Sequence, residues 1–196
     1  MDTRLQQQIT FLIEIDKMKG IFRRTLVMDH SRRENDAEHS WHFATMALVL
    51  AEYAKEEIDL PRVLKMALVH DLVEIYAGDT SAYADSAAQA AKEAQEQASA
   101  DRLFALLPTE QGAEYRALWE EFDAMETPDA RYAAAIDRLQ PFISNYMTDG
   151  HTWRQNRVTR AQVLRRMDMV RLAAPALWSF VEQAITEGIE KGWILP

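Results

Sequence analysis

Apolar residues return every three or four positions along almost the whole chain, and no convincing strand run interrupts them. That period belongs to helices that each bury one face, so the chain is constrained to an all-α fold before any single residue is considered. Residues 3–18 carry Leu5, Ile9, Leu12, Ile13 and Ile15 at this spacing. Residues 19–35 hold charged and turn-forming residues and read as irregular. Asp36 is the expected N-cap of a helix to about Lys55. Pro61 suits the first turn of the next helix, which runs to about Tyr76 and stops at Gly78. Residues 82–107 and 110–125 read as two further helices divided by Pro108. Thr127 and Pro128 open a helix to about Met147. Residues 149–157 read as loop, and helices near 159–170 and 174–191 complete the chain. No linker or internal repeat is visible, so one domain over 1–196 is expected.

Composition narrows the chemistry. The 196 residues suffice for one substantial core. There is no cysteine, which excludes disulfides and thiolate metal sites and leaves His, Asp and Glu as metal ligands. No basic-then-apolar leader opens the sequence, and no apolar run approaches the ~20 residues of a membrane span. A cytoplasmic enzyme or binding protein is the expectation. The net charge of −9 disfavours nucleic acid and anionic membrane as partners. The charge is uneven. Residues 17–33 hold six cations against Asp29 alone, which makes that segment +5 and the remainder −14. Such a cluster suits a small anionic ligand, and equally a solvated loop with surface ion pairs.

The stretch "ALVHDLVEIYAGD", residues 67–79, breaks the apolar pattern with His70 and Asp71 side by side. In a helix, Glu74 shares a face with both. Imidazole nitrogen and carboxylate oxygen together suit divalent Mn, Fe, Co, Ni or Zn, but two ligands do not make a site. His39, in "RRENDAEHSWH", is the first candidate for a third, with His42 one turn on. Asp137, in "AAAIDRLQPF", is the next. Its helix is lined by Ala134 and Ile136, where a carboxylate is costly unless paired or bound. Pro141 cannot donate to the carbonyl of residue 137, so a kink beside Asp137 is expected. The alternative is a surface pair of Asp137 with Arg138 or another arginine. His30, His42 and His151 read as surface or core residues, and the five tryptophans as core or interface.

Taken in order, "ENDAEHS", "HDLVEIYAGD" and "AAIDRLQP" resemble the three motifs of the HD-domain metal-dependent phosphohydrolases, and within them the small 5′-deoxynucleotidase branch. The resemblance runs from about residue 10 to 170. It implies a helical bundle that commonly dimerises and takes one divalent cation, Mn, Co, Ni, Fe, Zn or Mg. His39, His70, Asp71 and Asp137 resemble the metal ligands. Glu74 resembles the catalytic acid or base, and Asp79 a nearby catalytic or substrate-orienting group. Arg24 falls where the branch has its phosphate-binding arginine, with Arg23 and Arg32 as further candidates. Thr25 stands where some members carry tryptophan. The implied activity is hydrolysis of (deoxy)nucleoside 5′-monophosphates to nucleoside and phosphate. The alternatives are an HD-fold hydrolase of a triphosphate or cyclic nucleotide, or a non-catalytic nucleotide or metal sensor.

Overall fold

The computed structural model describes residues 2–78 and 86–196, with the backbone alone for 86–92. Helix α1 (Thr3–Ile15) passes through a 3-10 turn (Asp16–Gly20) into strands β1 (Phe22–Leu26) and β2 (Arg33–Asn35). Helices α2 (Asp36–Val49), α3 (Leu60–Val69), α4 (Glu74–Ala77), α5 (Ser86–Phe104) and α6 (Thr109–Ala124) follow. The chain ends in α7 (Pro128–Met147), α8 (His151–Gln155), α9 (Arg160–Ala173) and α10 (Trp178–Glu190). The expected all-helical class holds, and Thr127 caps α7 by accepting from the Ala130 amide. No helix among the described residues is long and apolar enough to cross a membrane.

Three local expectations are corrected. Residues 19–35 are not irregular: β1 and β2 pair antiparallel, Phe22 opposite Asn35 and Leu26 opposite Arg33, with a break in register between. Strands this short cannot show a readable two-residue alternation. The Arg33 guanidinium strengthens the pair by donating to the carbonyls of Phe22 and Arg23. Asn35, not Asp36, caps α2. Its side chain accepts from the Glu38 amide at 2.9 Å while the Glu38 carboxylate accepts from the Asn35 amide at 3.2 Å, a complete capping box. Residues 149–157 contain α8 rather than a plain loop. Its start is held by the Asn145 side-chain carbonyl, which accepts from the Thr152 amide at 2.9 Å and hydroxyl at 2.7 Å. Gly150 enters that turn at φ 64°, and a Cβ there would stand 2.4 Å from the Trp193 Cβ, so only glycine fits.

Two apolar clusters form the interior. One joins Phe43, Met66, Tyr132, Ile136, Met167 and Val181 from α2, α3, α7, α9 and α10. The other joins Phe11, Val69, Leu72, Leu103 and Trp119 from α1, the end of α3, α5 and α6. Helix α3 changes sides between them: Met66 and Ala67 belong to the first, Val69 and Leu72 to the second. His70 and Asp71 therefore lie in the seam between the two cores.

Candidate metal centre

The helix tightens at the His-Asp pair. The amides of Leu72, Glu74 and Ile75 bond carbonyls three residues back, at Val69, Asp71 and Leu72. With about three residues per turn, positions i and i+3 eclipse. Glu74 is therefore brought over Asp71 rather than shared between His70 and Asp71 as a regular helix predicts. Oxygens of Asp36, Asp71 and Glu74 lie within 4.8 Å of one another. Gly78, at φ 77°, ends this short segment, and its amide bonds the Glu74 carbonyl at 2.7 Å.

His39, His70 and Asp137 form a second group whose ligating atoms also lie within 4.8 Å. On α7, Asp137 and Gln140 are three apart and share a face. They grip the two nitrogens of the fully buried His39 ring: Gln140 Oε1 at 2.9 Å from Nδ1, and Asp137 Oδ1 at 3.0 Å from Nε2. The Gln140 amide nitrogen donates to Glu34 at 2.7 Å, so its oxygen must face His39 and accept from Nδ1–H. In the neutral ring the Nε2 lone pair then points at a carboxylate oxygen. His70 repeats the pattern. Its Nδ1 lies 3.0 Å from the Ala67 carbonyl, an acceptor, which places the proton on Nδ1. Its Nε2 has no aligned hydrogen-bond partner among the described residues and stands 3.1 Å from Asp71 Oδ2 and 3.6 Å from Asp137 Oδ1. Two locked imidazole lone pairs thus converge with carboxylate oxygens in a buried space. Lone pairs so placed repel one another unless a cation stands between them, and this donor set fits a divalent metal.

The electrostatics agree. Burial alone would push the His70 imidazolium down, but the Asp71 and Asp137 carboxylates push it up to about 10. Burial would raise the Asp137 carboxyl, yet His39 and His70 hold it well below the usual range. Asp71 is likewise held low, against burial, by His70 and Arg23. A field that holds a proton at Nε2 so firmly would hold a cation there.

The four expected ligands come together, with one refinement. His39, His70 and Asp137 form the compact set, while Asp71 shares its Oδ2 between the His70 side and Arg23, 2.7 Å away. Asp137 is not a surface carboxylate paired with Arg138. Pro141 lies inside α7 without ending it. Asp79 lies outside the described residues.

The arginines divide. Arg23 bridges Asp71 and Asp36, the latter at 3.3 Å, and so orients a candidate ligand. Arg24 lines a cavity of about 370 Å³ that opens onto the centre. Arg32 is placed elsewhere: it forks onto Glu38 at 2.6 and 2.8 Å on the exposed surface and does not line the cavity. Thr25 lines the cavity and its hydroxyl reaches Glu34 at 3.4 Å. A polar chain therefore runs from the cavity wall through Thr25, Glu34 and Gln140 to His39. The other walls are Trp119, Phe122 and Asp123 of α6, Phe142 and Asn145 of α7, Trp153 of α8 and Arg166 of α9.

Sequence reading did not bring Asp36, Gln140 or Arg166 to the site, and offers Arg138 only as a surface partner of Asp137. Gln140 was findable, since it sits one turn from Asp137 on the same face. The sequence reads Asp36 as a cap, but as the first residue of α2 it is fully buried against Arg23. Arg166 carries no local signal, because only packing brings it to the cavity.

Comparison with known proteins places this geometry. A crystal structure of a predicted metal-dependent phosphohydrolase from Magnetospirillum magnetotacticum superposes with a TM-score of 0.94 at 48% identity, covering 100% of this chain and 97% of that one. Proteins named 5′-deoxynucleotidase HDDC2 from Bos taurus and Homo sapiens are 29% and 27% identical over 136 residues, 69% of this chain. The match spans 64% and 65% of the length of those two relatives. The HD domain model matches residues 15–178, which takes in His39, the His70-Asp71 pair and Asp137. With the matched segment carrying the converging His and Asp side chains, the chain belongs to the HD domain family.

Proposed function

We propose that this protein is a metal-dependent phosphomonoesterase that hydrolyses nucleoside 5′-monophosphates, deoxynucleotides among them, to nucleoside and phosphate. The observation that carries this reading is the pair of tautomer-locked imidazoles, His39 and His70, aimed at Asp137 beside a cavity with arginine and aromatic walls. Its volume of about 370 Å³ falls within the ~300–1,000 Å³ of small-molecule sites. The names of the relatives support the substrate class.

In this reading His39, His70, Asp71 and Asp137 hold one divalent cation. When bound, it supplies Lewis-acid polarisation of the phosphoryl group and lowers the pKa of water. The chain's own residues do the rest. Arg23 keeps Asp71 oriented, and Gln140 keeps His39 in the required tautomer. Arg24 takes phosphoryl oxygens as a charge-assisted donor. The 5′-alkoxide is a poor leaving group, and Glu74, stacked over Asp71, delivers the proton it needs. Phe122 offers apolar surface to the base and sugar.

Phosphate release from nucleoside mono-, tri- and cyclic phosphates, each with Mn, Co, Mg, Ni and Zn, tests the reading. Monophosphates are expected to be turned over and chelator to abolish the activity. Preference for a triphosphate or cyclic phosphate would overturn the substrate class, and absence of turnover on the whole panel would leave a sensor.

We also propose that the chain is one domain and pairs with a second copy of itself. Leu5, Ile9, Leu12 and Ile13 form one stripe along α1, and all four are exposed, Ile13 by 68%. Sedimentation is expected to give a dimer that Ile13→Glu turns into monomer; a monomeric parent protein would reject the pairing.

A further inference from the structure

Two guanidinium groups stand on the α7–α9 wall of the cavity without a role in the scheme above. Arg138 follows Asp137 on α7, and Arg166 enters from α9. Among the described residues Arg166 makes one ion pair, with Asp137, at 3.9 Å from Oδ2, the oxygen turned away from the histidines. Arg138 reaches Met125 Sδ at 3.1 Å and makes no ion pair among the described residues. Both guanidinium groups line the same cavity as Arg24, His70 and Asp137. Two like charges partly buried in one cavity bear a cost, which an anion bound there would remove.

The accounting around the centre points the same way. Asp71 and Asp137 are the negative charges that a divalent cation would neutralise, Arg23 is already engaged by Asp36 and Asp71, and the other lining carboxylates, Glu74, Glu96 and Asp123, come from α4, α5 and α6 rather than from α7 or α9. A loaded centre then leaves the α7–α9 wall positive. The anion drawn there also faces the cation held at Asp137 Oδ1, because Arg166 sits on the other oxygen of that same carboxylate.

We propose that Arg138 and Arg166 form a guanidinium clamp for the non-bridging oxygens of the substrate's phosphoryl group, in the cavity that Arg24 also lines. The proposal rests on the phosphomonoesterase reading only for the identity of the anion. Arginine suits the task because its planar fork matches phosphate geometry, which lysine cannot reproduce.

The test is calorimetric titration of inorganic phosphate into the metal-loaded protein, beside metal analysis and a thermal melt of each variant. Arg138→Met and Arg166→Met are each expected to weaken phosphate binding about 10- to 100-fold with metal content unchanged. Arg138→Lys and Arg166→Lys keep the charge and are expected to recover part of the loss; they also serve if a methionine variant fails to fold. Phosphate binding like the parent's in a folded Arg138→Met, Arg166→Met double variant with full metal would overturn the clamp. Loss of phosphate binding in a protein that hydrolyses none of the nucleotides would support the clamp and reject the phosphomonoesterase reading, so the two can fail separately.

Discussion

His70→Gln is expected to empty the metal centre and to lower kcat on a nucleoside 5′-monophosphate by at least about 10³-fold, since the charge stabilisation a cation supplies is worth several kcal/mol. Glutamine fills most of the space of the imidazole, which packs between Phe43 and Phe122 with ring centroids 5.2 and 4.9 Å away. The substitution therefore spares the packing and removes a nitrogen lone pair that the Ala67 carbonyl had locked toward the carboxylates. Asp137→Asn is expected to behave alike, because it removes the charge that both histidines face. His151→Ala is the control and should keep its metal, since His151 meets Gln155 on the exposed side of α8 and belongs to neither group of candidate ligands. Elemental analysis of the purified variants, with circular dichroism to establish folding, reads the outcome. Stoichiometric metal in a folded His70→Gln, Asp137→Asn double variant would remove the centre from the reading altogether.

Glu74→Gln should separate chemistry from metal binding. The side chain is buried and stacked beside Asp36 and Asp71, outside the compact His39, His70 and Asp137 set. The amide preserves shape and hydrogen-bonding capacity but cannot deliver a proton. A folded protein with normal metal content and kcat lower by roughly 10²- to 10⁴-fold is expected. The deficit should shrink on an aryl phosphate, whose leaving group departs without protonation. Steady-state kinetics on paired alkyl and aryl esters decides between roles. An equal deficit on both would assign Glu74 to the attacking water, and full activity on both would make it an ordinary helix glutamate.

Both experiments depend on the segment 70–77, where the sequence is informative and incomplete at once. The residues that reach the centre are written there plainly. Their angular arrangement is not, because that depends on whether each amide bonds four residues back or three. A regular helix spreads Glu74 between His70 and Asp71. The tighter turn stacks it over Asp71 and leaves the His70 face to Asp137.

What the sequence determined by itself are the features carried by local period and by residue chemistry. Helical spacing dictated the fold class. Absent cysteine confined any metal to nitrogen and oxygen ligands. Thr127 with Pro128, and Gly78, marked the ends of elements because caps act over three or four residues. His39, the His-Asp pair and Asp137 were readable as a set through their motifs. Tertiary structure alone decided everything that depends on separate helices meeting. It joined Gln140 to His39 across 101 positions, committed Arg23 to Asp71 across 48, sent Arg32 to the surface, and set Arg138 and Arg166 on one wall. A charged side chain carries no local record of which partner it will face. Its role is settled only when the apolar faces of distant helices, in burying one another, fix where that charge must stand.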